Sequence, residues 1–105
     1  MKQRNIPSYS LEHIQKVFNS PKNLVMTNSA SQGMVALSFN QNDVVNAIQA
    51  LTRKNFYKSM PPFNLKFAAW QDVYKLNFKE VDLYIKFQIN ENGELLLSFK
   101  EADND

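Results

Sequence analysis

The side chains that could do chemistry in this 105-residue chain are lysines, tyrosines and amides, because the usual nucleophiles and metal ligands are scarce. There is no cysteine, which excludes a thiol nucleophile and a cysteine-ligated zinc site. His13 is the sole histidine, and we interpret it as an ordinary helix residue rather than as part of a Ser-His-Asp triad. No His or acidic pair has metal-ligand spacing, and Glu91 and Glu94 are better explained as solvated residues beside a turn. We therefore expect no metal ion and no cofactor.

A set of lysine, tyrosine and glutamine side chains can cleave RNA. The substrate supplies its own nucleophile, the 2′-hydroxyl, so the protein need not provide one. The protein must align that oxygen with the phosphorus and the leaving 5′-oxygen, and must stabilise the charge that grows on the phosphate oxygens. A tyrosine or lysine can transfer protons where neighbouring cations lower its pKa. The residue types alone nevertheless favour the alternative, an ordinary exposed sheet surface.

The charge distribution is consistent with an anionic partner. The formal net charge is +2, but three of the ten acidic residues lie in the last five positions, so the rest of the chain is more basic. Eight of the twelve basic residues lie between Arg53 and Lys100. Such a surface suits RNA or an acidic protein, although a normal solvated surface has the same composition. The chain has only two glycines, which excludes a glycine-rich phosphate loop.

Length and composition predict one globular domain over residues 1–101, followed by an acidic, disordered tail at 102–105. The chain is 44% hydrophobic and 21% charged, which is ordinary for a folded domain. The segment Met1–Pro7 carries charge without a following apolar stretch, so we expect no signal peptide. No window approaches the roughly 18 apolar residues of a membrane span. We expect a cytoplasmic protein with no membrane partner.

The first 55 residues have apolar residues at helical spacing. Ser10 is a plausible N-cap for a helix that ends at Ser20-Pro21, and Leu24–Thr27 could form a short strand. A second helix is predicted over Ser29–Leu37, and Asn40 or Asn42 could cap a third. The inward-facing residues of these helices are Leu11, Ile14, Val17, Phe18, Val44, Val45, Ile48 and Leu51.

From Phe56 onward the apolar and polar residues alternate, which predicts strands. The predicted strands are Phe56–Met60, Trp70–Phe78, Leu83–Ile89 and Leu95–Phe99. The fold class is therefore α+β, with N-terminal helices packed on one face of a C-terminal antiparallel sheet. Trp70 and Tyr74 are expected in the core rather than as stacking platforms.

The last turn determines how the final two strands pair. A two-residue Asn92-Gly93 loop would mix the two faces of the sheet. A three-residue loop, with Gly93 in the left-handed conformation, pairs Asn90 with Glu94 and keeps both apolar sets together. This register places Tyr84 and Lys100 side by side on the face away from the helices. Gln71 is expected on the same face, one strand over.

Several stretches resemble one known family, the motility quorum-sensing regulator (MqsR) toxins. Tyr9-Ser10-Leu11, followed by an amphipathic helix, is similar to the start of that family. Four further stretches occur in the family's order and approximate spacing: Phe56–Met60, Trp70–Tyr74, Leu83–Lys86 and Leu97–Glu101. The resemblance extends from about residue 7 to residue 101. The loop Pro61–Ala69 departs from the family's sequence, and it lies between two of the site segments.

The resemblance implies a fold like that of the RelE and YoeB ribonuclease toxins, and the toxin role in a type II toxin–antitoxin system. It implies an mRNA interferase that cuts at short GC-containing sites without a metal ion or the ribosome. The implied partner is an antitoxin with a zinc-binding N-terminal domain and a helix-turn-helix domain, through which the toxin reaches operator DNA only indirectly.

The family's catalytic residues correspond here to Lys58, Gln71, Tyr84 and Lys100. The resemblance implies that both lysines bind phosphate and stabilise charge, that Tyr84 acts as acid, base or phosphate donor, and that Gln71 orients the substrate. The strand parity of Lys58 is ambiguous. The expected RNA-binding residues are Tyr57, Lys75 and Lys86. The alternatives are a non-catalytic module that binds RNA or an antitoxin, and an inactive relative kept for antitoxin binding.

Overall fold

A computed structural model of the chain describes residues 2–62 and 69–102, and within them the fold is α+β, as the sequence predicts. The helices are α1 (Leu11–Val17), α2 (Asn28–Ala36) and α3 (Gln41–Gln49), with 3-10 turns at Pro21–Asn23 and Arg53–Asn55. The strands are β1 (Phe56–Met60), β2 (Gln71–Phe78), β3 (Val81–Ile89) and β4 (Leu95–Glu101). They form one antiparallel sheet in the order β1-β2-β3-β4. The predicted tail falls mostly at 103–105, outside the described residues.

Each helix begins at a side-chain cap. Ser10 caps α1, Thr27 caps α2, and Asn40, one of the two predicted caps, starts α3. Asn40 and Asp43 form a reciprocal capping box, in which each side chain accepts a hydrogen bond from the other residue's backbone N–H. None of these helices is long and apolar enough to cross a membrane. The caps fix where the helices start, and therefore how they lie on the sheet.

The strand predicted at Leu24–Thr27 is wrong in extent, because only Met26 makes a ladder pair. It lies beside Leu97 of β4 in a single parallel bridge. The Leu97 N–H donates to the carbonyl of Val25 at 2.8 Å, and the Thr27 N–H donates to the carbonyl of Leu97 at 3.0 Å. The segment thus covers part of the outer edge of β4 before α2 begins, which limits the exposure of an unpaired strand edge.

The core lies between the helices and one face of the sheet. Its fully buried residues include Ile14 of α1, Phe18 directly after α1, Ile48 of α3, and Phe87 and Leu97 of the sheet. Because the inward-facing residues of all three helices meet alternate residues of β2, β3 and β4, the sheet has one covered side. We call the opposite side the open face.

Tyr74 belongs to the core, as expected, but the same expectation is wrong for Trp70. Tyr74 is 1% exposed, and burial raises its pKa to about 12, so it is no candidate for proton transfer. Trp70 is only half-buried and packs outside the core cluster. It precedes β2, where its carbonyl accepts a hydrogen bond from the Tyr9 hydroxyl, and the Arg4 guanidinium lies 3.6 Å from the centre of its ring.

The predicted register of the last hairpin is confirmed. Gly93 has φ +79°, and the Asn90 N–H donates to the carbonyl of Glu94 at 2.8 Å. Counting back from this turn, Tyr84 lies directly opposite Lys100. Because side chains alternate along a strand, this register gathers the polar residues of both strands on the open face.

The N-terminal segment is fastened to β1 and β2 by a buried network that the sequence did not predict. Arg4 pairs with Ser59 at the outer edge of β1. The fully buried carboxylate of Asp72 accepts hydrogen bonds at 2.9 Å from the backbone N–H groups of Ser8 and Tyr9. The Ser8 and Ser59 hydroxyls lie 2.8 Å apart. The network holds the covered side of β1 and β2, the two strands that carry Lys58 and Gln71.

Candidate active site

The open face carries polar side chains from all four strands, and the strand pairing arranges them in rows across the sheet. One row runs from Lys75 on β2 through Tyr84 on β3 to Lys100 on β4. The next row runs from Lys58 on β1 through Val73 and Lys86 to Ser98. Adjacent strands are about 4.8 Å apart, so each row spans roughly 10–15 Å. Three of the four predicted catalytic residues lie in these two rows.

A β-bulge in β1 resolves the position of Lys58. Phe56 is paired with Tyr74 and Lys58 with Val73, so Tyr57 is an extra residue in β1. The ring of Phe56 packs edge-on against Tyr74 in the core, with ring centres 5.5 Å apart. At the bulge, Tyr57 and Lys58 both lie opposite Val73, and both side chains are on the open face. Without the bulge, alternation along β1 would place either Tyr57 or Lys58 on the covered side.

Tyr57 and Tyr84 form a stacked pair that is surrounded by lysines. Their ring centres are 6.4 Å apart and their planes are inclined by 15°. The Lys75 ammonium lies 3.8 Å from the centre of the Tyr57 ring and 5.5 Å from that of Tyr84. The Lys58 ammonium is 5.0 Å from the Tyr57 ring centre, and the Lys100 ammonium is 6.0 Å from the Tyr84 ring centre. We call these five residues the tyrosine–lysine cluster.

Cation–π contacts hold the ammonium groups of this cluster close to one another without neutralising them. Each contact contributes about 0.5–1 kcal/mol at an exposed site and leaves the full positive charge available to a ligand. Tyr57 is 46% exposed, so one member of the stacked pair presents much of its surface to solvent. The cluster therefore combines a stacking surface with positive charge, which is the pairing that single-stranded nucleic acid requires.

Lys86 lies in the row beside this cluster and has a perturbed titration. Its pKa is lowered, first by burial and then by the positive charges of Lys100 and Lys58. Its register partner Val73 is 2% exposed although it lies on the open face, between Lys58 and Lys86. Lys58 and Lys86 thus flank a buried valine, and an anion bound there would relieve the repulsion that Lys86 experiences from Lys58 and Lys100.

Gln71 shares the open face, as predicted, but it does not join the cluster. Its side-chain amide donates to Gln88 at 3.4 Å, one row beyond the row of Lys58 and Lys86. Gln88 is four residues from Tyr84 along β3, a separation of about 13 Å. Gln71 is therefore placed to contact a neighbouring part of a bound chain rather than the group that Tyr84 and Lys100 touch.

The other side chains considered from the sequence do not contribute to this site. His13 is exposed on α1, on the helix side of the sheet. Glu94 accepts a hydrogen bond from the Asn90 side chain within the hairpin, and Glu91 is exposed in the same turn. Across residues 2–62 and 69–102, no three His, Cys, Asp or Glu residues lie close enough together to hold a metal ion.

Comparison with known proteins identifies relatives over most of the chain. The sequence model of the family described as "Motility quorum-sensing regulator, toxin of MqsA" matches residues 6–101. The chain is 28% identical over 99 residues to the mRNA interferase toxin MqsR of Escherichia coli (strain K12). That alignment covers 94% of this chain and 98% of the relative. The matched range includes every residue of the tyrosine–lysine cluster.

Proposed function

The chain belongs to the family of motility quorum-sensing regulator toxins, and from this premise we propose that it is an endoribonuclease that cleaves mRNA. The relative from Escherichia coli is named an mRNA interferase, and it aligns over nearly the whole of both chains. The observation that carries the proposal is the tyrosine–lysine cluster, where Tyr84 lies directly opposite Lys100 on the open face. Tyr84, which can donate a proton, has the ammonium groups of Lys75 and Lys100 within 6.0 Å of its ring centre.

The reaction follows from the chemistry of RNA. The 2′-hydroxyl oxygen attacks the adjacent phosphorus and forms a new P–O2′ bond, while the bond from phosphorus to the 5′-oxygen breaks. The proton of the 2′-hydroxyl passes to a base, and the leaving 5′-oxygen takes a proton from an acid. The products are a 2′,3′-cyclic phosphate and a 5′-hydroxyl. The nucleophile comes from the substrate, so no metal-bound water is needed to attack the phosphorus, and we propose that the lysines of the open face take the place of a metal ion in stabilising the phosphate charge.

The lysines of the open face supply the charge stabilisation. Lys58 and Lys100 approach the tyrosine pair from β1 and β4, so a phosphate between them meets ammonium groups from two sides. Lys86, which is repelled by both of these lysines, gains an anionic neighbour when the phosphate binds. Because the lysines are in place before the substrate arrives, they stabilise the developing negative charge without rearrangement.

Tyr84 is the proposed proton carrier, and the remaining residues hold the substrate. The Tyr84 hydroxyl is the acid, base or hydrogen-bond donor that acts on the scissile group. Tyr57 stacks on a base and Lys75 contacts the backbone beside it, in keeping with the exposure of both residues. Gln71 orients a nucleotide farther along the bound RNA, because its partner Gln88 lies about 13 Å from Tyr84 along β3.

That separation also favours a second candidate function, a non-catalytic module that binds RNA through its basic open face. Gln71 is one of the four residues that the resemblance makes catalytic, yet it bonds to Gln88 rather than approaching Tyr84. A binding module would hold RNA in a salt-dependent way, would leave it intact, and would give Tyr84 no special role.

The family description also names a partner, since it calls these proteins toxins of MqsA. We propose that this chain is neutralised by an antitoxin with a zinc-binding N-terminal domain and a helix-turn-helix domain, and that it reaches operator DNA only through that antitoxin. We further propose that it acts in the cytoplasm, where it cuts mRNA at short GC-containing sites independently of the ribosome. Co-expression with the antitoxin is expected to restore growth to cells that the toxin alone arrests.

Cleavage of a defined RNA tests the proposal directly. The purified protein is incubated with RNA in the presence of a chelator, and the cut positions are mapped. We expect cuts at discrete sites, and a loss of rate on the order of a hundredfold in Tyr84→Phe, the range of general acid–base catalysis. RNA binding by Tyr84→Phe should be nearly unchanged, because the ring and its contacts remain. Lys22→Met, an exposed lysine on the helix side, is the matched control. Intact RNA that is nevertheless bound would leave the binding module as the function.

A further inference from the structure

A groove between α2 and β4 adjoins the open face, and apart from Lys86 and Lys100 its lining residues have no role in the function proposed so far. It has a volume of about 280 Å³. Ser29, Gly33 and Ala36 of α2 line one side of it, and the residues on the other side are Lys86, Ser98 and Lys100. Since Lys86 and Lys100 belong to the rows that cross the open face, the groove continues those rows beyond the last strand.

Small side chains keep this groove open. Residues 29, 33 and 36 recur at spacings of four and three, so they share one face of α2. At Gly33 the helix backbone comes close to β4, and a Cβ built there would lie 3.6 Å from the carbonyl oxygen of Phe99. Ser29 and Ala36 are exposed, and their short side chains do not fill the space above that contact. Larger residues at these positions would close the groove.

The lining of the groove matches a nucleobase better than a phosphate. A base has two apolar faces and an edge of hydrogen-bond donors and acceptors. The groove offers the methyl group of Ala36 and the backbone at Gly33 for the faces, and the hydroxyls of Ser29 and Ser98 for the edge. Glu101, the last residue of β4, adds a carboxylate, which accepts hydrogen bonds from the amino group of a base but repels a phosphate.

We propose that this groove is a nucleobase subsite, which holds the base adjacent to the phosphate that lies over Lys86 and Lys100. The inference rests on the proposed ribonuclease function, because it assigns the groove to the same RNA strand. The lysines attract the backbone at the entrance of the groove, and the small residues of α2 admit the attached base. The subsite thereby contributes to the choice of cleavage site.

The test combines a filled groove with an RNA that lacks the base. Ala36→Leu places a branched side chain in the groove from an exposed helix position, where it does not disturb the core. Val35→Leu is the matched control, because Val35 is 72% exposed on the same helix turn and does not line the groove. Each protein is assayed on the parent RNA and on RNAs with a single abasic nucleotide on either side of the mapped cut. Binding of each RNA, with a 2′-deoxy nucleotide at the cut to prevent cleavage, is measured in parallel.

For the wild-type chain and Val35→Leu, we expect kcat/KM on one of the abasic RNAs to be lower than on the parent RNA by on the order of tenfold or more, because the groove then has no base to bind. Ala36→Leu should cut the parent RNA at that reduced rate and should be insensitive to removal of the base, because both changes abolish the same contact. Equal sensitivity to the abasic nucleotide in all three proteins would overturn the subsite. If no protein cleaves any RNA, the ribonuclease proposal fails, and the same comparison of binding still decides whether the groove takes a base.

Discussion

Replacing Lys86 by methionine should make the protein more stable and a weaker RNA binder at the same time. Methionine has about the length of lysine without its charge, so it preserves packing on the open face and removes the repulsion from Lys100 and Lys58. The lowered pKa of Lys86 means that the fold disfavours its charged form, through burial first and those two lysines next. A lysine that lies among other lysines destabilises the fold. Its presence is explained if the site binds an anion, because the anion offsets the repulsion.

The size of the stability gain can be worked out from the strand register. Lys86 is paired with Ser98 and Tyr84 with Lys100, so the two lysines are diagonal neighbours on adjacent strands. Diagonal positions are about 7–8 Å apart, where two unit charges repel by about 0.5 kcal/mol in water and about 2 kcal/mol at an effective dielectric constant of 20. Since Lys86 is half-buried and Lys100 exposed, we expect a gain of about 1 kcal/mol, or roughly 4 °C in Tm for a domain of this size.

Thermal unfolding and RNA binding measure the two effects, with Lys22→Met as the control for loss of an exposed lysine. The gain in stability should shrink in high salt, which screens the repulsion between the lysines. It should also shrink as the pH rises from the lowered pKa of Lys86 towards 10.5, because in that range Lys86 of the folded wild type has already lost its proton. Removing one phosphate contact should reduce the salt dependence of single-stranded RNA binding by about 0.7 in log–log slope. A variant that is less stable than wild type, or whose salt slope is unchanged, would refute the account of Lys86.

Three further predictions concern the turn between β2 and β3, an ion pair, and the stacking surface. Glu80 has φ +66°, so Glu80→Gly should raise the free energy of unfolding in urea by about 0.5–1 kcal/mol, and a decrease would contradict the turn geometry. The hydrogen bond from Lys79 lowers the pKa of Asp43, so Lys79→Met should be less stable than the wild type at pH 7. This difference in stability should disappear as the pH falls below 3.8 and through the lowered pKa of Asp43, where the carboxylate becomes protonated. A difference that does not depend on pH would exclude this pair as its cause. Tyr57→Ala should weaken RNA binding by about 1–3 kcal/mol, measured by fluorescence anisotropy at a temperature where the variant is folded, and unchanged affinity would exclude stacking on Tyr57. The variant should also lose some thermal stability, because it lacks the contacts of Tyr57 with Lys58, Lys75 and Tyr84.

The sequence was sufficient to predict the faces and register of the last two strands because several independent signals agree there. The alternation of apolar residues in β3 and β4 allows only one pairing that keeps the core together. Gly93 independently selects the same pairing, because it supplies the left-handed residue of the turn. From those two facts, the neighbourhood of Tyr84 and Lys100 follows without any further structural information.

The features that the sequence did not predict depend on contacts between residues distant in sequence, or on backbone irregularities that occur without a typical residue such as glycine. The bulge that brings Tyr57 and Lys58 to one face has no glycine to signal it. The hairpin between β2 and β3 turns through Lys79 and Glu80, both with positive φ, where a sequence normally shows asparagine or glycine. Without that turn signal, the position of Gln71 along the face could not be derived from the sequence, although its side of the sheet could.

Burial of Asp72 is the clearest long-range case. In sequence it is one charged residue in an otherwise alternating strand, which indicates nothing about a partner. In the fold, it binds the backbone of Ser8 and Tyr9, more than sixty residues earlier in the chain. The same segment places Arg4 over the ring of Trp70, which lies outside the core cluster. That a carboxylate is buried and binds a distant backbone segment can be recognised only when the relative positions of the two segments are known.

The most direct test of the central claim is a single 2′-deoxy substitution in the RNA, at the nucleotide whose 2′-hydroxyl is the proposed nucleophile. The protein is incubated with the substituted and the parent RNA in chelator, and the new ends are characterised. We expect the two RNAs to bind equally, the parent RNA to give a 2′,3′-cyclic phosphate and a 5′-hydroxyl, and the substituted position to remain uncut. Cleavage of the 2′-deoxy RNA at that position would contradict this expectation, because the nucleophile would then have to come from the protein or from water.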